Sequence, residues 1–227
     1  MGWDSVWEEI FKSQDWGKYP DESFIRFVAR NFYAAAGVKR DKEQRAKIKL
    51  LEVGCGPGAN IWFMAREGFG TFGVDGSETA ITKARQRLDQ EGLAADLRVG
   101  DISDLPYQDG TFDAVADNEC LAHNNAKALE GILSEIHRVL KPGGMFYSRT
   151  FGDDVYKGKT YQQIGDLQYN GSSDGPFGGR GFFRLSTEAT IRVAYGKFFK
   201  FISIDNITYT VNNGAVRISE WIIVCQK

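Results

Sequence analysis

Residues 51–58 read Leu-Glu-Val-Gly-Cys-Gly-Pro-Gly, a short apolar strand that leads directly into a glycine-rich turn. Apolar side chains then recur at helical spacing, at Ile61, Trp62 and Ala65. Glycines at such a junction let the backbone turn tightly and approach a ligand closely. The segment therefore predicts a ligand-binding loop between a strand and a helix.

Strand and helix patterns alternate on both sides of this loop. Apolar strand patterns lie at 48–53, 71–74, 97–99, 112–116 and 145–150, with amphipathic helix patterns between them. Such alternation predicts a parallel α/β sheet with helices on both faces. Two long strand patterns, 198–211 and 215–224, flank the turn sequence Asn212-Asn213-Gly214 and predict a terminal antiparallel hairpin.

Composition excludes several classes of protein. The chain has 227 residues, 42% of them hydrophobic, and a formal net charge of −2. This balance gives no field that would attract nucleic acid or an anionic membrane surface, and no apolar run is long enough for a transmembrane helix. Three widely spaced cysteines do not form a disulfide framework. With no signal-peptide pattern at the N-terminus, a cytoplasmic protein is expected.

The chain is expected to form one domain made of four segments. These are a helical cap at 1–47, a core at 48–150, a glycine-rich segment at 151–185, and a final helix and hairpin at 186–227. In the cap, two amphipathic helices are predicted, the second ending near Gly37. Trp3 and Trp7 are interpreted as core residues because they share the apolar face of the first helix. The basic stretch 39–49 is interpreted as a solvated connector.

The glycine-rich segment is interpreted as a lid over the site of reaction. Residues 152–181 contain eight glycines. So many glycines leave the backbone too many conformations for a packed element to be expected. Ligands of such sheets bind at the carboxyl ends of the strands, beside the loop that follows the fifth strand. A disordered surface insertion is the alternative. The side chains expected to line a pocket are Tyr156, Tyr161, Tyr169, Phe177, Arg180 and Phe183.

Acidic residues at the strand ends indicate the kind of ligand. Asp75 ends the second strand, where a carboxylate can accept hydrogen bonds from two ribose hydroxyls. Glu52 precedes the glycines and suits a cationic amino-acid ligand better than a pyrophosphate. The spacing of Gly54, Gly56 and Ala59 also fits a dinucleotide loop loosely, so an NAD(P)-dependent oxidoreductase is a further alternative.

These motifs, in this order, resemble those of class I S-adenosylmethionine-dependent methyltransferases, in particular small-molecule methyltransferases of the type 11/25 kind. The glycine loop resembles their first motif and residues 73–77 their second. Residues 100–106, 112–115 and 140–144 resemble the motifs that follow. The resemblance covers residues 48–150. It implies a Rossmann-like, doubly wound, seven-stranded sheet of order 3-2-1-4-5-7-6 with a terminal antiparallel hairpin.

The resemblance also implies the cofactor, S-adenosylmethionine, with S-adenosylhomocysteine as its product. The methionine part of the cofactor would lie against the backbone of Gly54 and Gly56, with Glu52 and Cys55 alongside. Asn118, just past the fourth strand, would lie near the same part.

The nucleoside part of the cofactor is expected at the next two strand ends. Asp75 would bind the ribose hydroxyls, with Gly76 packed beside it. Asp101 would accept a hydrogen bond from the adenine amino group, while the backbone of Ile102 meets the ring. Asn60, in the first turn of the helix after the loop, would either reach the ligand or cap the helix.

Candidates outside the motifs are less constrained. In the cap, Tyr19 would place its ring against the sulfonium, and Arg26 would hold the methionine carboxylate. Past the fourth strand, Asp117, Glu119 and His123 are candidates for a general base, which is needed only if the acceptor must lose a proton. No cluster of metal ligands is evident, so no metal is expected.

The predicted activity is transfer of a methyl group from S-adenosylmethionine to a small-molecule acceptor by in-line displacement, in a monomer or homodimer. Many base and glutamine methyltransferases have a motif of Asn or Asp, two prolines and an aromatic residue. That motif is missing here, and Asp117-Asn118-Glu119-Cys120 stands in its place. The accepting atom, oxygen, nitrogen or carbon, is therefore open. The alternative is a non-catalytic protein of the same fold that binds S-adenosylmethionine or acts as a scaffold.

Overall fold

A seven-stranded sheet organises the molecule, and the computed structural model describes residues 4–35 and 38–227. The strands are β1 Lys49–Val53, β2 Gly70–Asp75, β3 Asp96–Val99, β4 Phe112–Asn118, β5 Leu140–Phe151, β6 Lys200–Val211 and β7 Val216–Gln226. Their order across the sheet is β3-β2-β1-β4-β5-β7-β6. This confirms the predicted α/β class, the doubly wound order and the terminal hairpin.

The hairpin provides the only antiparallel pairs of this sheet among the described residues. β1 to β5 pair in parallel, whereas β7 is antiparallel to both β5 and β6. Asn212 and Asn213 both have φ near +55°, and Gly214 has φ +87°. Asparagine and glycine tolerate this left-handed conformation better than other residues, so the turn sequence determines where the hairpin reverses.

Seven α-helices flank the sheet in the described part of the chain. They are α1 Val6–Ser13, α2 Glu22–Phe32, α3 Lys42–Ala46, α4 Ala59–Arg66, α5 Glu78–Asp89, α6 Ala126–Val139 and α7 Glu188–Tyr195. The second helix ends at Phe32, earlier than predicted; Gly37 and Trp3 lie outside the described residues. No helix in the described ranges is long and apolar enough to cross a membrane.

Alternate residues of the central strands pack into different cores. Leu51 and Phe146 belong to a cluster with α6, whereas Leu50 and Tyr147 belong to a cluster with α2 and α4. Successive side chains of a strand point to opposite faces, so each strand contributes to both layers. The sheet is thereby covered on both faces, and its strand ends remain to form a site.

The basic stretch 39–49 is more than a solvated connector, and the prediction is wrong in this respect. It contains α3, whose N-terminus has a capping box between Asp41 and Gln44. Arg45 is buried, and its guanidinium donates to the carbonyl oxygens of Glu67 (2.6 Å) and Arg40 (2.5 Å). The charge pattern could not reveal this, because the acceptors are backbone carbonyl groups, one of them 22 residues further along the chain.

The glycine-rich segment 151–185 is also a packed element, contrary to prediction. Residues 162–165, 168–170 and 183–184 form a three-stranded antiparallel sheet, which we call the lid sheet. Its core contains Phe177 and Phe183, whose rings stack at 3.9 Å between centroids, and Tyr169 stacks on Phe183 at 5.3 Å. The aromatic side chains provide the buried apolar surface that the glycine content alone does not predict.

Candidate active site

One large cavity opens at the carboxyl ends of β1, β2 and β4. Its volume is about 510 Å³. The glycine loop, the end of β4, α1 and the lid sheet all contribute to its wall. The lining residues are Asp4, Trp7, Phe11, Trp16, Glu52, Gly54, Cys55, Gly56, Pro57, Gly58, Ala59, Asn60, Asp75, Asn118, Glu119, Cys120, His123, Asn124, Asn125, Ile164, Gln168, Arg180 and Phe182.

The glycine loop forms the floor of this cavity. Gly54, Gly56 and Gly58 all have positive φ, at +65°, +50° and +80°. The amides of Gly54 and Cys55 both donate to the carbonyl oxygen of Val74, at 2.8 and 3.1 Å, which ties the loop to the end of β2. A Cβ atom at Gly54 would lie 2.2 Å from the sulfur of Cys120. Glycine is thus required there by both conformation and space.

Asp75 is held rigidly at the end of β2. Its side chain is buried and accepts from the amide of Gly56 (2.8 Å, Oδ2) and from the amide of Ser77 (2.9 Å, Oδ1). Burial raises the pKa of this carboxyl, while the two backbone donors act in the opposite direction. Because each oxygen has two lone pairs, both can accept a further hydrogen bond from a ligand in the cavity.

Glu52 and Asn60 form a buried polar pair with unused acceptors. The amide nitrogen of Asn60 donates to Oε1 of Glu52 at 2.6 Å. Oε2 of Glu52 and Oδ1 of Asn60 are both buried without a hydrogen-bond partner. Burial, with the nearby carboxylates of Asp117 and Asp75, raises the pKa of Glu52. Buried acceptors without donors are costly, so this pair fits a ligand group that brings several donors and a positive charge.

Glu119 lies at the rim of the cavity in a strained backbone conformation. Its φ is +69°, and its amide donates to the carbonyl oxygen of Arg149 at 2.9 Å. Arg149 also forms ion pairs with Glu220 (2.6 Å), Glu119 (3.4 Å) and Asp21 (3.4 Å). Burial raises the pKa of Glu119 to about 7, although the charge of Arg149 opposes this shift. Such a carboxyl can exchange a proton near neutral pH.

His123 lines the cavity with a defined tautomer. Its Nδ1 lies 2.8 Å from the carbonyl oxygen of Phe182. A carbonyl oxygen only accepts, so Nδ1 must donate and Nε2 keeps a lone pair. Trp7 packs edge-on against the imidazole, with 4.6 Å between centroids. Burial lowers the pKa of His123 to about 4, so the ring is neutral at physiological pH.

Asp117 does not line the cavity. It is buried in β4, where its carboxylate accepts from the amide of Leu121 (3.0 Å) and from the hydroxyl of Ser148 (2.7 Å). Ser148 in turn contacts the hydroxyl of Tyr195 at 2.9 Å. Burial raises the pKa of Asp117 to about 6. The geometry supports a structural role within the sheet.

Two predicted cofactor contacts of the cap lie away from the cavity. Tyr19 is 75% exposed and packs edge-on against Trp62. Arg26 is exposed and forms an ion pair with Glu22 at 2.6 Å. The structure therefore does not bring these two residues to the glycine loop, and α1 rather than α2 contributes to the cavity wall.

The residues after β3 are also absent from the lining. Asp101 accepts from the amide (2.8 Å) and hydroxyl (2.7 Å) of Ser103, and Ile102 is buried in the core. Gly76 lies between Asp75 and Ser77 without reaching the lining. The cavity therefore brings together the predicted residues Glu52, Gly54, Cys55, Gly56, Asn60, Asp75, Asn118, Glu119 and His123.

Several lining residues were not predicted as part of a site. Trp7 was interpreted as core, but it contacts His123 and lines the cavity. Phe11 and Trp16, also from the N-terminal segment, pack against each other there. The sequence did show that α1 has an aromatic face, and this was the one signal that could have indicated a site. Its position over the glycine loop was not visible in the sequence.

The lid sheet contributes different residues from those predicted. Of the six candidates in this segment, only Arg180 lines the cavity. The other lining residues of the segment are Ile164, Gln168 and Phe182. Tyr169, Phe177 and Phe183 are instead buried in the core of the lid, because stacking among these rings stabilises the lid sheet itself.

Known proteins are similar to this chain in sequence or in fold. Residues 50–144 match the family described as "Methyltransferase domain". The sterol 24-C-methyltransferase of Neurospora crassa is 37% identical over 133 residues, which cover 56% of this chain and 33% of that enzyme. The chain thus spans about a third of the length of the curated relatives of this kind that it matches.

Solved structures agree on the architecture. A SAM-dependent methyltransferase from Methanosarcina mazei has a TM-score of 0.69 at 23% identity, covering 79% of this chain and 92% of that one. The 1,6-didemethyltoxoflavin-N1-methyltransferase of Burkholderia thailandensis, solved with S-adenosylhomocysteine, has a TM-score of 0.58 at 20% identity, covering 79% and 70%. Residues 50–144 therefore match a methyltransferase domain in sequence, and the chain shares the Rossmann-like sheet of these solved structures.

Proposed function

We propose that this protein transfers a methyl group from S-adenosylmethionine to a small-molecule acceptor. The observation that carries the proposal is the orphaned pair of oxygens on Glu52 and Asn60, in the same cavity as the anchored carboxylate of Asp75. The first pair suits an ammonium group, and the second site suits two vicinal hydroxyls. A ligand with both, joined by a short linker, has the chemistry of S-adenosylmethionine.

The residues present fit this cofactor. Glu52 and Asn60 would hold its amino group, the loop at Gly54 and Gly56 would approach its methionine chain, and Asp75 would hold its ribose. When bound, S-adenosylmethionine supplies an electrophilic methyl group on a sulfonium, and the sulfur departs with the bonding electron pair. The protein's task is to align an acceptor with that methyl group and to exclude water.

Two side chains of the cavity can manage the proton of an acceptor hydroxyl or amine. His123 is neutral and has a free lone pair on Nε2, since Nδ1 donates to Phe182. Glu119, with a pKa of about 7, can take up or release a proton near neutrality. The acceptor atom would form its new bond to carbon with its own lone pair, and its proton would pass to one of these groups.

Calorimetry with S-adenosylhomocysteine tests the proposal. The wild-type protein should bind this product, and Asp75→Ala should weaken binding by about 100-fold, because both ribose hydroxyls lose their acceptor. Asp89→Ala, an exposed carboxylate at the end of α5, is the control. Binding of NADH that is insensitive to Asp75→Ala would instead favour the oxidoreductase alternative.

Turnover separates an enzyme from a non-catalytic protein. Release of S-adenosylhomocysteine from S-adenosylmethionine, measured across a panel of small acceptors, should identify at least one substrate. Cofactor binding without turnover of any acceptor would favour the non-catalytic alternative.

Cysteine usage supports a reducing compartment for this chemistry, because Cys55, Cys120 and Cys225 are all unpaired.

A further inference from the structure

The guanidinium of Arg180 faces the cavity from the lid. It lies over the ring of Trp16, with 5.3 Å between the guanidinium carbon and the ring centroid. A planar guanidinium stacked on an indole is held in one orientation. Burial lowers the pKa of Arg180, so this cation has lost part of its hydration.

Among residues 4–35 and 38–227, the guanidinium of Arg180 forms no ion pair and no hydrogen bond, although the charge of Glu119 acts on it and raises its pKa against the larger effect of burial. None of the ion pairs or side-chain hydrogen bonds of the described chain involves its guanidinium. Arg149, by contrast, forms ion pairs with three carboxylates. A partly buried guanidinium with five unused donors is costly unless something pairs with it. The arrangement is therefore ready for an anion.

Arg180 is close to the groups that would handle the acceptor. Burial is the main cause of the lowered pKa of His123, and the positive charge of Arg180 lowers it further. The same charge lowers the pKa of Glu119. His123 is joined to the lid through the carbonyl oxygen of Phe182. The guanidinium thus belongs to the same part of the cavity as the two candidate bases.

The wall around Arg180 is aromatic. Trp7 packs on His123, Trp16 packs on Arg180, and Phe11 contacts both tryptophans at 5.8 and 5.4 Å between centroids. Phe182 also lines the cavity on the lid side. Such walls favour a flat ring over a flexible chain, because rings stack or pack edge-on with little loss of rotational freedom.

We propose that Arg180 binds the carboxylate of the methyl acceptor, and that the acceptor is an aromatic acid bearing a hydroxyl or amino group. This inference rests on the proposed function and names its substrate class. Glu52 and Asp75 account for the ammonium and ribose of the cofactor. Arg180 comes from the lid, two residues from the Phe182 carbonyl oxygen that holds His123, so its anion is the one on the second substrate rather than the carboxylate of the cofactor. The aromatic wall would hold the ring, with the hydroxyl or amine directed to His123 or Glu119.

The test uses 4-hydroxybenzoate and its neutral counterpart 4-hydroxybenzamide as probes. Their affinities are measured by ligand-observed NMR titration on the full chain, with and without saturating S-adenosylhomocysteine. Wild type should bind the acid at least about 10-fold more tightly than the amide, as expected for one desolvated ion pair. Arg180→Met should abolish this preference, because it removes the guanidinium and keeps an unbranched side chain beside Trp16.

Arg192→Met is the matched control. Arg192 also lies over an aromatic ring, at 5.5 Å from Phe201, but its guanidinium is exposed and pairs with Glu188. This variant should keep the preference for the acid. Circular dichroism and thermal unfolding confirm that each variant is folded.

Three outcomes overturn the inference. Wild type could bind acid and amide equally, or bind neither. Alternatively, Arg180→Met could weaken S-adenosylhomocysteine 10-fold or more while leaving the acid preference intact, which would assign the guanidinium to the carboxylate of the cofactor. Failure of wild type to bind S-adenosylhomocysteine is a separate result that contradicts the proposed function, and the titrations without it still report on Arg180.

Discussion

Asn60 donates its amide to Glu52 at 2.6 Å, and each partner keeps one buried oxygen that nothing in the described structure satisfies. Asn60 lies in the first turn of α4 and Glu52 lies near the end of β1, so the glycine loop between them fixes their separation. Two acceptors without donors destabilise the ligand-free protein. The same two acceptors give a cationic donor group a strong advantage in this cavity.

Replacing Glu52 by glutamine should therefore weaken S-adenosylhomocysteine binding by roughly 10- to 100-fold, the value of one buried charge-assisted hydrogen bond. The variant keeps the shape of the side chain and the acceptor for Asn60, but it loses the negative charge. Calorimetry gives the affinity. Glu43→Gln on α3, where the carboxylate is exposed, is the control.

Glu52→Gln should also raise the free energy of unfolding of the ligand-free protein, since burial disfavours the charged form of this carboxyl. Chemical denaturation measures this second effect. A variant that is stabilised but binds S-adenosylhomocysteine as tightly as wild type would contradict the assignment of Glu52 to the ammonium group.

The imidazole of His123 should remain neutral down to about pH 4. The chain contains only two histidines, so a histidine-labelled NMR titration resolves both, and His137→Gln assigns the signals. A neutral ring with Nδ1 protonated is expected from pH 8 to pH 5. Titration of His123 near its ordinary value of about 6.5 would show that it is solvated and not held by Phe182.

The difference in pKa between His123 and Glu119 distinguishes the two candidate bases in an activity assay. Once an acceptor is known, a rate that falls as pH drops through about 7 indicates Glu119, whose pKa is about 7. A rate that persists to about pH 5 indicates His123. Glu119→Gln and His123→Gln, assayed in parallel for kcat and for S-adenosylhomocysteine affinity, identify the group that affects turnover without affecting cofactor binding.

Stability should depend on pH through Asp117. Its pKa is raised from 3.8 in an unfolded chain to about 6 in the fold, so the native state holds a proton that the unfolded state has released. The stabilisation is complete below about pH 4 and is lost as pH rises through about 6. The size of the change is on the order of 2–3 kcal/mol.

Asp117→Asn removes this group while preserving its shape and the acceptor for Leu121. The difference in unfolding free energy between variant and wild type should grow in favour of the variant from pH 4 to pH 7. Urea denaturation at intervals of one pH unit measures it. A difference that is constant across this range would mean that Asp117 ionises normally in the folded protein.

The core of the fold could be predicted because its signals are local. Each strand pattern precedes a turn or helix pattern, and the carboxyl ends of parallel strands meet, so Glu52 and Asp75 could be placed at one site from sequence alone. The path of the cap could not be predicted. Whether α1 or α2 covers the loop depends on packing, and Trp7 therefore lies in the cavity whereas Tyr19 and Arg26 do not.

The lid shows the same limit. Its strands pair residues that are distant in sequence, such as Arg184 with Gln168, and its glycines conceal an aromatic core. Turn-forming residues predict flexibility only if no apolar side chains between them can pack together. Here Phe177 and Phe183 do so, and that contact, invisible in local composition, decides the structure of the segment.

Gly54 should tolerate no side chain. Alanine there must adopt a φ of +65°, and its Cβ would lie 2.2 Å from the sulfur and 2.4 Å from the Cβ of Cys120. The left-handed backbone costs about 1–2 kcal/mol, and the overlap adds roughly 1–3 kcal/mol.

Gly92→Ala separates these contributions, since Gly92 has φ +62° and nothing within 4 Å of the added Cβ. Cys120→Gly removes the overlapping atoms, so Gly54→Ala in that background should lose only about as much stability as Gly92→Ala does. Thermal and chemical denaturation of the full double-mutant cycle gives the coupling between positions 54 and 120. A Gly54→Ala variant that is no less stable than Gly92→Ala would refute the close approach of the glycine loop to Cys120.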